Sequence, residues 1–357
     1  MKITDIKAEA FQWARKVPIS NGKHTYPTVT VGIVTITTDE GITGYGFGST
    51  EFVLHFRDML IGQDPLNNER LWHMMWVPKL VGRRGLTTRA ISSIDMALWD
   101  IKGKAAKMPL YKLLGGNSDS VPAYIAGGYY APGKDIKALQ DEMLEYVSWG
   151  AKAVKMKIGA VSFKEDAARV KAVREAIGPD IKLLIDANCA YRHYEAITFA
   201  KMVEEFNPFW FEEPVAPDDY RGMKRLSEAT VIPIATGENE YTRYGFRDLI
   251  EQNAVPIINA DAFILGGITE FMKVAAFAQA YDIDVAPHGT QTVHVHLVAA
   301  ISNGLILEYY PGQFDPLYSS AYTRKLPLNA DGTVSPPDAP GIGFEPNYET
   351  LEPYRVL

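Results

Sequence analysis

Over the first fifty residues apolar and polar positions alternate, with Val29, Val31, Ile33 and Thr35 at every second place and a turn at Asp39-Glu40-Gly41. A period of two predicts strands, here an antiparallel meander. Gly44, Gly46 and Gly48 follow no strand-to-helix pattern of the kind a phosphate-binding loop requires, so they read as turn glycines. Between 51 and 115 the period becomes helical. Trp72, Met75 and Trp76 share one face, and Ile94, Ala97, Leu98 and Ile101 recur at steps of three and four before Leu114-Gly115-Gly116 ends the segment. Strands followed by segregated helices predict an α+β unit, residues 1–118.

From 119 the pattern changes to short β-rich runs separated by amphipathic helices. The runs are 123–126, 153–158, 182–186, 210–212, 233–237, 257–260, 284–287 and 305–308. Eight such runs predict a barrel over 119–320. A polar residue closes each run from the second to the eighth: Lys157, Asp186, Glu212, Glu238, Asp261, His288 and Glu308. Their spacings of 29, 26, 26, 23, 27 and 20 residues match one strand-loop-helix-loop unit, which sets them at one height around the rim. In (β/α) barrels the C-terminal rim carries the active site. Residues 321–357, with Pro336-Pro337, Pro340 and Gly341-Ile342-Gly343, have loop chemistry and are expected to pack back on the first unit.

A chain of 357 residues, 47% hydrophobic, can bury a large core beside a smaller one. Its net charge of −7 offers no basic surface for a phosphate backbone, which excludes nucleic acid as a partner and favours a small polar ligand. Charged residues interrupt every apolar run before membrane-spanning length. Cys189 is the only cysteine, and Met1-Lys2-Ile3 leads straight into the strand pattern; both point to a cytoplasmic location.

Three carboxylates on consecutive strands, Asp186, Glu212 and Glu238, repel one another unless a cation neutralises them. All-oxygen donors favour Mg²⁺, with Mn²⁺ the alternative. Lys155 and Lys157 lie two apart on one strand and share a face, with Met156 on the other. If that face is inside, two adjacent ammonium groups near a metal would lower each other's pKa and make Lys157, nearer the rim, a base. Asp261 sits one barrel unit before His288, placed to fix its tautomer and raise its basicity. A protonated Glu308 could donate to a substrate carboxylate as charge develops there. His294 and His296, two apart on a helix, do not share a face and read as packing or surface residues, and Cys189, without a partnered base, reads as filler.

These residues give the chain its resemblance to the mandelate racemase-like branch of the enolase superfamily. Lys155-Met156-Lys157 resembles that branch's Lys-x-Lys motif, while Ile185-Asp186-Ala187-Asn188, Phe211-Glu212-Glu213-Pro214 and Thr236-Gly237-Glu238-Asn239 resemble its three metal-ligand motifs. Gly266-Gly267-Ile268-Thr269 and the stretch Ser93 to Asp100 resemble two further signatures. The resemblance implies a (β/α)₇β barrel capped by the first unit, with residues 15–27 and 48–56 closing over substrate. It also implies Lys or His bases working beside Mg²⁺, a pairing general in that superfamily. Lys157 or His288 would take the α-proton of a carboxylate bound near Lys155 and Glu308. Asn188 is a candidate substrate contact, as are His24, Tyr26 and Tyr130, with Tyr129, toward the far end of the ligand. The polar segment Ser20 to His24 suits a sugar acid, so dehydration of an aldonate or aldarate to a 2-keto-3-deoxy acid is the expected reaction. Racemisation, epimerisation or cycloisomerisation of a lactone or anhydro acid uses the same groups, and a barrel that binds acid sugar without turnover is the remaining reading. The resemblance further implies a homo-oligomer.

Overall fold

Residues 1–357 are described by a computed structural model. The alternating segment forms β1 (Ile3–Ser20), β2 (Thr25–Thr38) and β3 (Thr43–Phe47), an antiparallel sheet in that order. Much of the segment expected as a closing loop is therefore strand, since only residues 21–24 lie outside the β1–β2 ribbon. Helices α1 (Asn68–Met75) and α2 (Leu86–Ala105) cover the sheet. Ile94, Ala97, Leu98 and Ile101 of α2 are fully buried with Ile3, Val34, Ile36 and Trp72, as the helical spacing predicts. Gly44 and Gly46 prove not to be turn glycines. They lie in β3 against the backbone of α2, where a Cβ on Gly46 would stand 1.8 Å from Ser93 O. Spacing alone cannot separate such close packing from a turn.

Eight parallel strands follow: β4 (Val121–Ala126), β5 (Ala153–Lys157), β6 (Lys182–Asp186), β7 (Trp210–Glu212), β8 (Ile234–Thr236), β9 (Ile257–Ile258), β10 (Asp284–Val285) and β11 (Leu307–Tyr309). They neighbour one another in chain order, and β11 pairs with β4. The ring closes where Val285 N–H donates to Asn303 O (2.8 Å) and Leu305 N–H donates to Val285 O (2.9 Å). All eight coincide with the runs read from sequence, several ending earlier because the chain leaves the ladder for the rim loops. Seven helices fill the intervals: α3 (Ile136–Ser148), α4 (Phe163–Ile177), α5 (His193–Val203), α6 (Tyr220–Ala229), α7 (Thr242–Glu251), α8 (Ile268–Gln279) and α9 (Gln291–Ala300). This is a (β/α)₇β barrel with an antiparallel cap. Strand alternation sends Leu184, Trp210 and Ala235 inward, and Met156, Ile185 and Phe211 outward against the helices.

Helix α2 fastens the parts together. Its buried Asp95 accepts from the Thr269 N–H (2.8 Å) and hydroxyl (2.6 Å), and Ser92 Oγ accepts from the Gly266 N–H (2.9 Å). Gly267 (φ +88°) passes so near that a Cβ would lie 2.5 Å from Asp95 Oδ2. The two signature segments noted apart in the sequence thus touch each other. One turn on, Asp100 accepts from the Tyr45 N–H (2.9 Å) and, far along the chain, the Ile342 N–H (2.8 Å). Beyond the two-residue strand β12 (Thr333–Val334), antiparallel to β4, the chain returns to the cap, where Ala10 N–H donates to Leu357 O (3.1 Å). No helix is long and apolar enough to cross a membrane.

Every residue of α9 is buried, His294 and His296 included, so both are packing residues and neither lies at the surface. His296 Nδ1 accepts from the Tyr111 N–H (3.3 Å), and its Nε2–H donates to Ile342 O (2.8 Å). Burial lowers its pKa to about 4. The unfolded chain therefore takes up this proton near pH ~6.5 while the folded chain resists it, and stability falls as pH drops from there to about 4. Each such histidine adds a slope of roughly 1.4 kcal/mol per pH unit. His296→Gln is expected to flatten the acid limb of a plot of urea stability against pH; superimposable limbs would show that His296 is not held neutral.

Candidate active site

The phase of β5 puts Lys155 and Lys157 inside the barrel, because Met156 between them packs in the outer core. Lys155 is fully buried, with Nζ 2.8 Å from both Glu212 Oε1 and Glu308 Oε1, 3.4 Å from Asp186 Oδ2 and 3.4 Å from the Tyr124 hydroxyl. Lys157 Nζ pairs with Asp186 Oδ2 and sits 5.2 Å over the Tyr129 ring. Asp186 Oδ1 accepts the Asn188 N–H (2.9 Å), and Glu212 Oε2 accepts the Trp210 indole N–H (2.9 Å).

Asp186, Glu212 and Glu238 each bring an oxygen to within 4.8 Å of the others. Glu238 Oε2 is buried without a hydrogen-bond partner. Burial and the neighbouring acids raise the Glu212 carboxyl to about 8 and push Glu238 above the usual carboxylate range. Three buried, mutually repelling oxygen donors with one of them unsatisfied are a donor set that suits a hard divalent cation.

The electrostatics of the lysines and Glu308 differ from the sequence-based expectation. Burial favours loss of a lysine proton, but the buried acids outweigh it. Asp186 holds Lys157, and Glu212 and Glu308 hold Lys155, well above the ordinary lysine range. Lys155 does lower Lys157, as expected, but without a cation at the acids Asp186 outweighs it. Burial likewise favours a neutral Glu308, yet Lys155, His288 and Lys157 draw it down to about 2. Rather than a standing proton donor, Glu308 is here an acceptor, of the Gly289 N–H (2.6 Å) and the Tyr310 hydroxyl (3.1 Å). Strand position foretells proximity, but not the sign of a balance among so many close charges.

Across the mouth, His288 Nδ1 lies 3.0 Å from Asp261 Oδ2 and Nε2 lies 3.5 Å from Glu238 Oε2. Burial opposes protonation of the ring, but Glu238, Asp261 and Glu308 outweigh it and raise the pKa well above the ordinary histidine value. Beneath the pair, His294 Nε2 accepts the Ala262 N–H (3.0 Å) and so steadies the turn that carries Asp261.

The four residues expected around the substrate are placed differently from one another. Asn188 (φ +43°) is beside Asp186, its side-chain Oδ1 buried and unpartnered. Tyr26 accepts from Asn21 Nδ2 (2.9 Å), its ring 6.5 Å from Tyr129 and 6.4 Å from the exposed His24. Tyr130 points elsewhere: its hydroxyl donates to Asp166 (2.6 Å) and its ring lies under Arg169, while its backbone bridges to Ser20 and ties the β1–β2 ribbon to the barrel. Tyr310 and Trp210 were not among the candidates. Each is two residues from a rim acid on the same strand, so the period of two that placed the acids would also have pointed to them.

A family model described as enolase C-terminal domain-like matches residues 138–350, and one described as the N-terminal domain of mandelate racemase / muconate lactonizing enzyme matches 3–115. Arabinonate dehydratase of Saccharolobus solfataricus is 37% identical over 334 residues, 90% of this chain and 89% of that protein. D-galactarolactone cycloisomerase of Agrobacterium fabrum is 34% identical over 378 residues, covering 100% of this chain and 99% of the other. The crystal structure of L-talarate/galactarate dehydratase from Salmonella typhimurium, liganded with Mg and L-lyxarohydroxamate, superposes with a TM-score of 0.92 at 31% identity, over 100% of this chain and 93% of that one.

Proposed function

The chain belongs to the enolase superfamily, in its mandelate racemase / muconate lactonizing enzyme branch, and on that premise we propose that it removes the α-proton of a sugar carboxylate and eliminates the β-hydroxyl as water. The observation that carries this reading is the His288–Asp261 pair, 3.0 Å apart, carried by the loops after β10 and β9, three and four places round the ring from the strand of Lys157. Elimination needs an acid as well as a base, and this arrangement supplies both.

Asp186, Glu212 and Glu238 would hold Mg²⁺. When bound it supplies positive charge beside the substrate carboxylate, which acidifies the neighbouring C–H. Lys155 adds a fixed, buried ammonium there. Glu308, brought against a second carboxylate, shares a proton with it, because two adjacent anions raise each other's pKa. Once another partner engages the Asp186 charge, Lys157 gives one ammonium proton to solvent, and its neutral Nζ receives the α-proton. His288, kept cationic by Asp261 and Glu238, gives its Nε2 proton to the departing hydroxyl, which leaves as water, and the resulting enol becomes a 2-keto-3-deoxy acid. Asn188, Tyr26 and Tyr129 bind the polyol. Asp261→Asn removes the charge that orients and charges His288, and is expected to lower kcat about 10- to 100-fold, checked by steady-state kinetics on the compound the wild-type chain turns over.

A second reading is supported by the cycloisomerase similarity over 100% of this chain. There the leaving group is a ring oxygen, and the acid and base are the same. Incubation with Mg²⁺ and a panel of aldonates, aldarates, lactones and anhydro acids in D₂O separates the two. A 2-keto-3-deoxy product from an open-chain acid supports dehydration, whereas product from a lactone or anhydro acid alone transfers the assignment to cycloisomerisation. Neither product, with no α-deuterium incorporated, would remove both.

A further inference from the structure

The barrel has seven helices for eight strands, and the outer side of β11 is covered by residues 311–328. Between that cover and the strand lies a cavity of about 550 Å³, within the range of small-molecule sites. It lies behind the active centre: Ile125 and Tyr309, which line it, belong to the outer core, whereas the acids of the rim face inward.

Its chemistry is one-sided. Although the chain has a net charge of −7, no acidic residue lines this cavity, and the exposed cations Arg324 and Lys325 do. Trp149, Tyr318 and Tyr322 contribute aromatic surface, and Ser319 contributes a hydroxyl. The walls are held in place by bonds of their own, Tyr309 OH to Leu326 O (2.8 Å) and Arg324 Nε to Gly343 O (3.0 Å).

We propose that this cavity, on the outer side of β11 and sharing Tyr310 with the rim, is a second binding site for a small hydroxylated carboxylate. Arg324 and Lys325 take the carboxylate, Ser319 bonds a hydroxyl, and the aromatic rings cover the C–H face. None of this depends on the reaction assigned to the rim.

Calorimetric titration of the full chain with gluconate, with Mg²⁺ and again with it chelated, tests the site, with sorbitol as the uncharged control. Binding is expected in both conditions and only for gluconate. Lys325→Glu should weaken it about tenfold or more. Ser319→Ala should weaken it roughly two- to tenfold, the loss of one hydrogen bond to the ligand. Heat that appears only with Mg²⁺, that survives both substitutions, or that is absent altogether overturns the proposal.

Discussion

Lys157→Ala is expected to lower kcat by about 10²- to 10⁴-fold and to abolish exchange of the substrate α-proton with D₂O. The side chain is buried inside β5 beside Asp186 and faces Tyr129, nearer the mouth than Lys155 on the same strand. Asp186 keeps the ammonium charged in the free structure. Only when the Asp186 charge is engaged by another partner does that hold weaken and Nζ become a base. Lys157→Arg tests this directly, since arginine preserves the cation but does not deprotonate in the working range. If arginine restored turnover, Lys157 would serve as a charge and not as a base. If alanine changed neither kcat nor exchange, another group would be the base.

Glu238→Gln is expected to abolish Mg²⁺ binding and reduce turnover to background. Of the three clustered acids this one has the fewest internal bonds, and the Mg²⁺-binding readout separates its place at the metal from its charge pairing with His288 (3.5 Å). Asp186 also holds Lys157, and Glu212 holds Lys155 and Trp210, whereas Glu238 Oε2 has no hydrogen-bond partner. Its loss costs no internal hydrogen bond and relieves repulsion among the three carboxylates, while it also removes the charge pairing with His288, so the metal-free variant should be about as stable as wild type. With Mg²⁺ at 100 times its Kd, the wild-type chain should gain about 2.7 kcal/mol, seen as a rise in Tm, and the variant should gain none. An equal rise in both would place the cation elsewhere.

The barrel was legible because each repeating unit ends in a polar residue after an apolar run, and side-chain period and unit length together fix both height and direction. Lys155 and Lys157 could be assigned to the interior only through their phase with Asp186 and Glu212, and the outward position of Met156 bears that out. Protonation was not legible in the same way. Lys157 and Glu308 are decided by groups from several strands within a few ångströms, and burial and charge act on each in opposite directions. Nor could spacing show that the Tyr130 hydroxyl is taken by Asp166 or that Gly46 lies against a helix backbone, since both depend on partners distant in sequence.

The bond from the Ile342 N–H to Asp100 spans 242 positions of the chain. A ribosome adding 5–20 residues each second needs roughly 10–50 s to cover that interval. Through that time the nascent cap carries a carboxylate destined for burial with one of its donors not yet made. Its early helices and sheet can pair, but they can lock only after the barrel has emerged. A chaperone that shelters the nascent cap, or a pause in translation between the two segments, would therefore act on the yield of active protein while leaving its final stability unchanged.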